Sequence, residues 1–152
     1  MDKNKENFVR LQFTSIPDNV ALARVLISSL VAQGDITLTD LEEIKVAVSE
    51  AVSNSVIHGY QGQEDKLVTI EASISKGILK VLIEDQGVGI EDVEQAMSPA
   101  FSTDPERMGL GFVFMQSFMD DVQVISTLGK GTKVILEKNL IKENQACSHL
   151  AN

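Results

Sequence analysis

Glu50, Asn54 and His58 recur every four residues along one apolar segment. On an α-helix, residues four apart stand one turn above each other. The three side chains therefore form a single polar ridge: a carboxylate, a neutral amide and an imidazole. An amide oxygen suits Mg²⁺ when substrate phosphates supply the remaining charge. A carboxylate one turn away can act as a general base toward a hydroxyl. His58 could contact a phosphate or cap the last turn before Gly59. The same ridge would also serve as an ordinary solvated face, so it needs corroboration.

Two further groups supply it. Asp85-Gln86-Gly87-Val88-Gly89 follows an apolar strand in which Leu79, Val81 and Ile83 alternate. Asp85 continues their parity and should point to the buried face, where an unpaired carboxylate is expensive. Gly87 and Gly89 would let the backbone turn sharply and approach a ligand. A carboxylate placed there could accept a hydrogen bond from the exocyclic amine that distinguishes adenine, although Asp and Gly also make plain turns. Gly109-Leu110-Gly111 opens a later apolar helix. Free N–H groups and the dipole make such a start attractive to phosphate, whereas the bland alternative is a flexible helix entry. Gly129-Lys130-Gly131-Thr132 reads as a hairpin turn from which Thr132 could reach a ligand. Neither a dinucleotide G-x-G-x-x-G nor a P-loop string occurs.

The elements that must hold these residues can be read from periodicity. Phe8–Thr14 alternates as a half-buried strand. A helix follows Pro17, with Asp18 at its N-cap and Leu22, Val25, Leu26 and Leu30 as its apolar stripe, ending near Gly34. Thr39-Asp40-Leu41-Glu42 has the pattern of a capping box. It opens a helix to about Ile57, with Leu41, Ile44, Val48, Ala51, Val52 and Ser55 facing the core. Residues 67–75 and 78–84 form a hairpin around Lys76-Gly77. Residues 91–97 form a short helix, and 98–108, with two prolines, a loop or lid. Residues 110–119 are helical, and 122–127 pairs with 133–137. The expected fold is an α/β (α+β) two-layer sandwich, a mixed and largely antiparallel sheet with helices on one face. Residues 1–140 would form one domain and 141–152 a polar tail.

Bulk properties narrow the function. A chain of 152 residues buries roughly two-thirds of its unfolded surface, enough for one core. The 13 basic and 22 acidic residues give a net charge of −9, which disfavours nucleic acid and anionic membranes. Cys147 is the only cysteine, so no intrachain disulfide can form, which fits a reducing, cytoplasmic setting. Neither a secretion signal nor a membrane-length apolar run is visible. Phe101, Phe112, Phe114 and Phe118 read as core and lid packing, and Cys147 and His149 as tail residues.

In this order, the motifs resemble the ATP-binding (Bergerat-type) fold shared by histidine kinases, gyrase, heat-shock chaperones and MutL. Residues 50–59 resemble its asparagine box, 85–90 its adenine-binding box, and Gly109-Leu110-Gly111 its lid glycines. Residues 49–60 are also similar to the small serine kinases that double as anti-sigma factors. Phe118-Met119-Asp120-Asp121 and Arg24 fit the sporulation branch best. The likeness covers nearly all of residues 8–140. It implies ATP/ADP and Mg²⁺ as cofactors. Asn54 would hold Mg²⁺, and Asp85 would bind adenine with Gly89 and Thr132 lining the pocket. Gly109 and Gly111 would clasp phosphates. Glu50 would act as base on a serine of an anti-anti-sigma protein. Arg24 would belong to the surface shared by that protein and a sigma F-like sigma factor. A homodimer is implied as well. One departure is a lid before Gly109 that is shorter than in close relatives, which bears on any phosphate role of Arg107. Three alternatives stay open: a stress-response-type kinase, a nucleotide-gated binding module without turnover, and a detached histidine-kinase domain.

Overall fold

The computed structural model describes residues 6–98 and 108–141. Five strands are described: β1 (Asn7–Thr14), β2 (Leu67–Ser75), β3 (Ile78–Asp85), β4 (Asp121–Thr127) and β5 (Gly131–Asn139). They form one sheet in the order β1-β2-β3-β5-β4. The expected two-layer sandwich is therefore present. Its ladders among the described strands are all antiparallel, so the sheet is not mixed. Short hairpins impose this on two of the four ladders, β2–β3 and β4–β5: Lys76 and Gly77, at φ 51° and 77°, turn β2 directly into β3.

One sheet face is apolar and covered. Val68, Ile70, Ala72, Leu79, Val81, Ile83, Val134 and Leu136 alternate inward from three neighbouring strands. The other face carries cross-strand pairs such as Arg10–Glu71, Lys80–Glu137 and Lys133–Glu84. Exposed pairs of this kind contribute little stability, so the sheet is held by its covered face.

The helices on that face are α1 (Asn19–Val31), α2 (Leu38–Asn54), the short α3 (Val93–Ala96) and α4 (Met108–Phe118). In α1 the buried stripe is Ala23, Ile27, Leu30 and Val31. The expected Leu22 and Val25 are instead exposed, at 45% and 61%. Apolar residues surround much of this helix, so periodicity left two registers. The side bearing small Ala23 is the one buried. Asp18 occupies the N-cap position, but its side chain makes no cap bond. For α2 the cap is Thr37 rather than Thr39. Thr37 Oγ1 accepts from Asp40 N at 3.1 Å, and the two side chains meet at 2.8 Å. That frame puts Ile36 and Leu41 at the positions of a hydrophobic staple, and both pack on the core. Ile44, Ala47, Val48, Ala51 and Val52 then line the buried face of α2, mostly as expected.

Helix α2 does not run on as an α-helix to Ile57. From Ser55 to Gly59 it widens into a π-helical turn, closed by Tyr60 N donating to Ser55 O at 2.9 Å. Single π turns are uncommon and gather at functional sites. No helix among the described residues is long and apolar enough to cross a membrane. Phe101, Arg107, Cys147, His149, most of the expected lid and the tail lie outside the described residues.

Candidate functional site

Period-two geometry carries Asp85 inward as the last residue of β3, and it is only 3% exposed. What faces the carboxylate is neutral. Gly87 N donates to Oδ1 at 2.9 Å, and the Ser55 side chain and the Thr132 backbone N–H also bond to it. Burial pushes its pKa above the ordinary 3.8. The three donors only partly offset that, and neighbouring Glu84 adds to the rise. No ion pair to Asp85 occurs among the described residues.

Close backbone approach builds the walls. A Cβ on Gly59 would lie 2.8 Å from Asp85 Oδ1, and one on Gly87 would overlap the Gly59 carbonyl. Gly89 has φ +73° and sits against the Thr127 carbonyl, where a side chain would be both strained and obstructed. Val88 N donates to Gly59 O at 2.9 Å, and Gly129 N to Val88 O at 2.7 Å. Buried Tyr60 completes the joint. Its hydroxyl donates to Leu67 O and accepts from Gln86 N at 2.8 Å.

Across from this wall stands α2. Asn54, Ser55, His58, Gly59, Asp85, Gly89 and Thr132 line one cleft, with Phe112, Ile90 and Val134 supplying apolar surface. Its internal volume is about 20 Å³. Asn54 Nδ2 is buried without a hydrogen-bond partner among the described residues. A buried amide left in this state is costly unless something else occupies the position. The orientation of an Asn amide is assigned from its neighbours, so turning it would present the oxygen instead.

Gly109 and Gly111 lie inside the first turn of α4, as part of the helix itself. Gly111 is packed on the ridge: a Cβ there would be 2.9 Å from Glu50 Oε2 and 3.5 Å from both amide atoms of Asn54. Burial raises the Glu50 pKa. The start of α4 therefore touches the two residues best suited to metal and base chemistry.

The expected residues thus separate into groups. Asn54, His58, Asp85, Gly89 and Thr132 share the cleft, while Glu50 and Gly111 meet at its α2–α4 edge. Gly87 supports the cleft from behind through Gly59, and Gly109 faces the Ala96 and Ser98 carbonyls. The π turn changes the rotation between Asn54 and His58, so the three-residue ridge is regular only from Glu50 to Asn54. Arg24 is away from the cleft, exposed on α1 near Glu42. Sequence reasoning missed Ser55, which it assigned to the core, and Gly59, which it assigned only a stop. The small residues Ser53, Ser55 and Gly59 flanking Asn54 and His58 were the available signal.

Asn54 fits a magnesium–phosphate group. Among the described residues no three His, Cys, Asp or Glu side chains gather to hold a metal by themselves. Magnesium commonly combines few protein ligands with phosphate oxygens, a role open to the Asn54 amide.

Comparison with known proteins identifies the family of this fold. Residues 13–138 match the model of the histidine kinase-like ATPase domain. The anti-sigma F factor of Halalkalibacterium halodurans is 46% identical over 144 residues, covering 93% of this chain and 99% of that one. Those of Clostridium perfringens and Geobacillus kaustophilus are 45% and 44% identical, over 89% and 93% of this chain. Among solved structures, the Erythrobacter litoralis EL346 blue-light activated histidine kinase aligns at TM-score 0.57 and 21% identity. The alignment covers 81% of this chain and 40% of that one, a likeness of fold alone. By sequence match over nearly its full length, the chain belongs to the histidine kinase-like ATPase family, in its anti-sigma F factor branch.

Proposed function

We propose that this protein is an ATP-dependent protein-serine kinase and anti-sigma factor. It binds a sigma F-like sigma factor and phosphorylates a serine of an anti-anti-sigma protein. The observation that carries the reading is the convergence, within one cleft and its edge, of buried Asp85, the Asn54 amide, whose Nδ2 has no partner among the described residues, and Glu50.

The Asp85 carboxylate receives the adenine amine against the Gly87–Gly89 backbone. Asn54, with its amide oxygen turned inward, would hold a magnesium ion, which would supply charge neutralisation. The N–H groups at the start of α4 receive the phosphates, and Gly111 lets that helix start close on Glu50 and Asn54. Phosphoryl transfer needs mainly positioning and charge stabilisation. Glu50 takes the proton of the substrate serine hydroxyl as its oxygen bonds the γ-phosphorus and ADP leaves. Burial raises its proton affinity toward that of a useful base. Exposed Arg24 contributes to the partner surface, and the active species is a homodimer.

The test is serine phosphorylation of the cognate anti-anti-sigma protein with MgATP, read by mass spectrometry. Glu50→Gln should lower the rate by roughly 10²–10⁴-fold. Equal rates in the two proteins would sink the role of Glu50. A second reading draws support from Gly111, which packs directly on Glu50 Oε2. In it α4 is a gate that nucleotide moves to create a docking surface, without turnover. Nucleotide-dependent capture of the sigma factor with no phosphoserine would favour that reading.

A further inference from the structure

Ser126 lies on β4, outside the residues that line the cleft. Its hydroxyl oxygen nonetheless has three close partners: Ile90 N at 2.8 Å, Gly131 O at 2.9 Å and Thr132 Oγ1 at 2.8 Å. A hydroxyl has one proton and two lone pairs, so three partners saturate it. Ile90 N–H can only donate, and it takes one lone pair. The Gly131 carbonyl can only accept, so it takes the proton. One lone pair remains for Thr132, and the Thr132 hydroxyl must be the donor. Its own lone pairs are then the polar feature left for the cleft.

Thr132 lines the cleft beside Asp85 and bonds to it through its backbone N–H. With the hydroxyl polarity fixed, that wall presents two acceptors side by side: the Asp85 carboxylate and Thr132 Oγ1. An exocyclic amine has two N–H donors, one for each acceptor, whereas a carbonyl oxygen in the same place sets lone pairs against both.

We propose that Ser126 is a positioning residue that fixes the direction of the Thr132 hydroxyl and so makes the cleft select a 6-amino purine over a 6-oxo purine. The proposal rests on the nucleotide reading above and assigns its base selectivity to a residue that never touches the base. The bland role for Ser126 is to pin the β4–β5 turn to the Asp85–Ile90 loop. That role would alter affinity without altering selectivity.

Magnesium complexes of ATP and of inosine triphosphate, which has a carbonyl in place of the amine, separate these roles by titration calorimetry. The wild type should prefer ATP. Ser126→Ala should lose about tenfold of that preference, because an acceptor wall is replaced by a hydroxyl free to turn either way. Ser126→Thr should keep it. If alanine prevents folding, Ser126→Cys carries the test, since sulfur is a weak donor and acceptor of similar size, and it should lose preference in the same direction. An unchanged ratio in the folded Ala or Cys variant overturns the proposal, even if both affinities fall together. Equal wild-type binding of the two nucleotides also overturns it. Failure of the wild type to bind either nucleotide would instead overturn the nucleotide reading.

Discussion

Among the described residues two charged side chains are buried, and the chain treats them oppositely. Lys138 on β5 is 8% exposed, and Asp85 on β3 is 3% exposed. Lys138 Nζ donates to Glu43 Oε2 at 3.1 Å, lies 3.9 Å from Asp40 Oδ1 and donates to the Phe118 carbonyl at the end of α4. A cation at that end also opposes the helix dipole. Its charge is answered entirely from within, and it ties α2, α4 and the sheet together. Asp85 is met only by neutral donors, and burial lifts its proton affinity. A buried charge paired at home is architecture. One held by partial dipoles alone is a vacancy in the electrostatics, and it lies where the small residues make room.

The largest test of this contrast is on Asp85. Asp85→Asn should weaken magnesium-nucleotide binding by about a hundredfold, through loss of the carboxylate acceptor. Its urea midpoint should hold or rise, because a desolvated charge is removed. A large loss of stability with native-like affinity would erase the distinction.

The converse experiment is on Lys138. Lys138→Met should cost about 2 kcal/mol in urea unfolding, since Asp40 and Glu43 lose their cation. That figure is below the usual cost of breaking a buried pair because the Glu43 side chain is 32% exposed. Nucleotide affinity of the folded variant should stay within about twofold. A much larger fall in affinity would place Lys138 in the binding machinery and break the comparison.

The smallest effect is a pH slope. Asp85 holds its proton more tightly when folded than its ordinary 3.8 allows. From about pH 4 up to the raised value, the folded state binds more protons than the unfolded state. Stability from this group therefore falls as pH rises through that window. Glu50, also raised by burial, adds a slope of the same sign. Asp85→Asn removes the Asp85 share, so the variant should gain on the wild type between about pH 4 and neutrality. Parallel stability profiles for the two proteins would show that the buried carboxylate is not desolvated.

The same period-two logic bears on both charges, yet only one was legible. Leu79, Val81 and Ile83 pointed to Asp85 because the expected strand ran up to it. Val134 and Leu136 point equally to Lys138, but that strand was expected to end at Glu137 and runs to Asn139. The Glu50–Asn54 pair was legible because α2 is regular there. The position of His58 was not, since nothing local announces the π turn that begins at Ser55. The exposure of Leu22 and Val25 was not legible either, because α1 offered two apolar sides and only its neighbours could choose between them.

By itself the sequence determined which segments are strands and helices, that Asp85 turns inward, and that Glu50 and Asn54 share a helix face. These follow from backbone periods that neighbouring residues impose on each other. Only the tertiary structure decided that Gly59 would close on Gly87, that Gly111 would rest on Glu50, and that Ser126 would bond across to Ile90 and Thr132. All of these except the Ser126–Thr132 bond, which lies within the β4–β5 hairpin, join segments distant along the chain. They depend on how the sheet and helices pack, which no local period encodes.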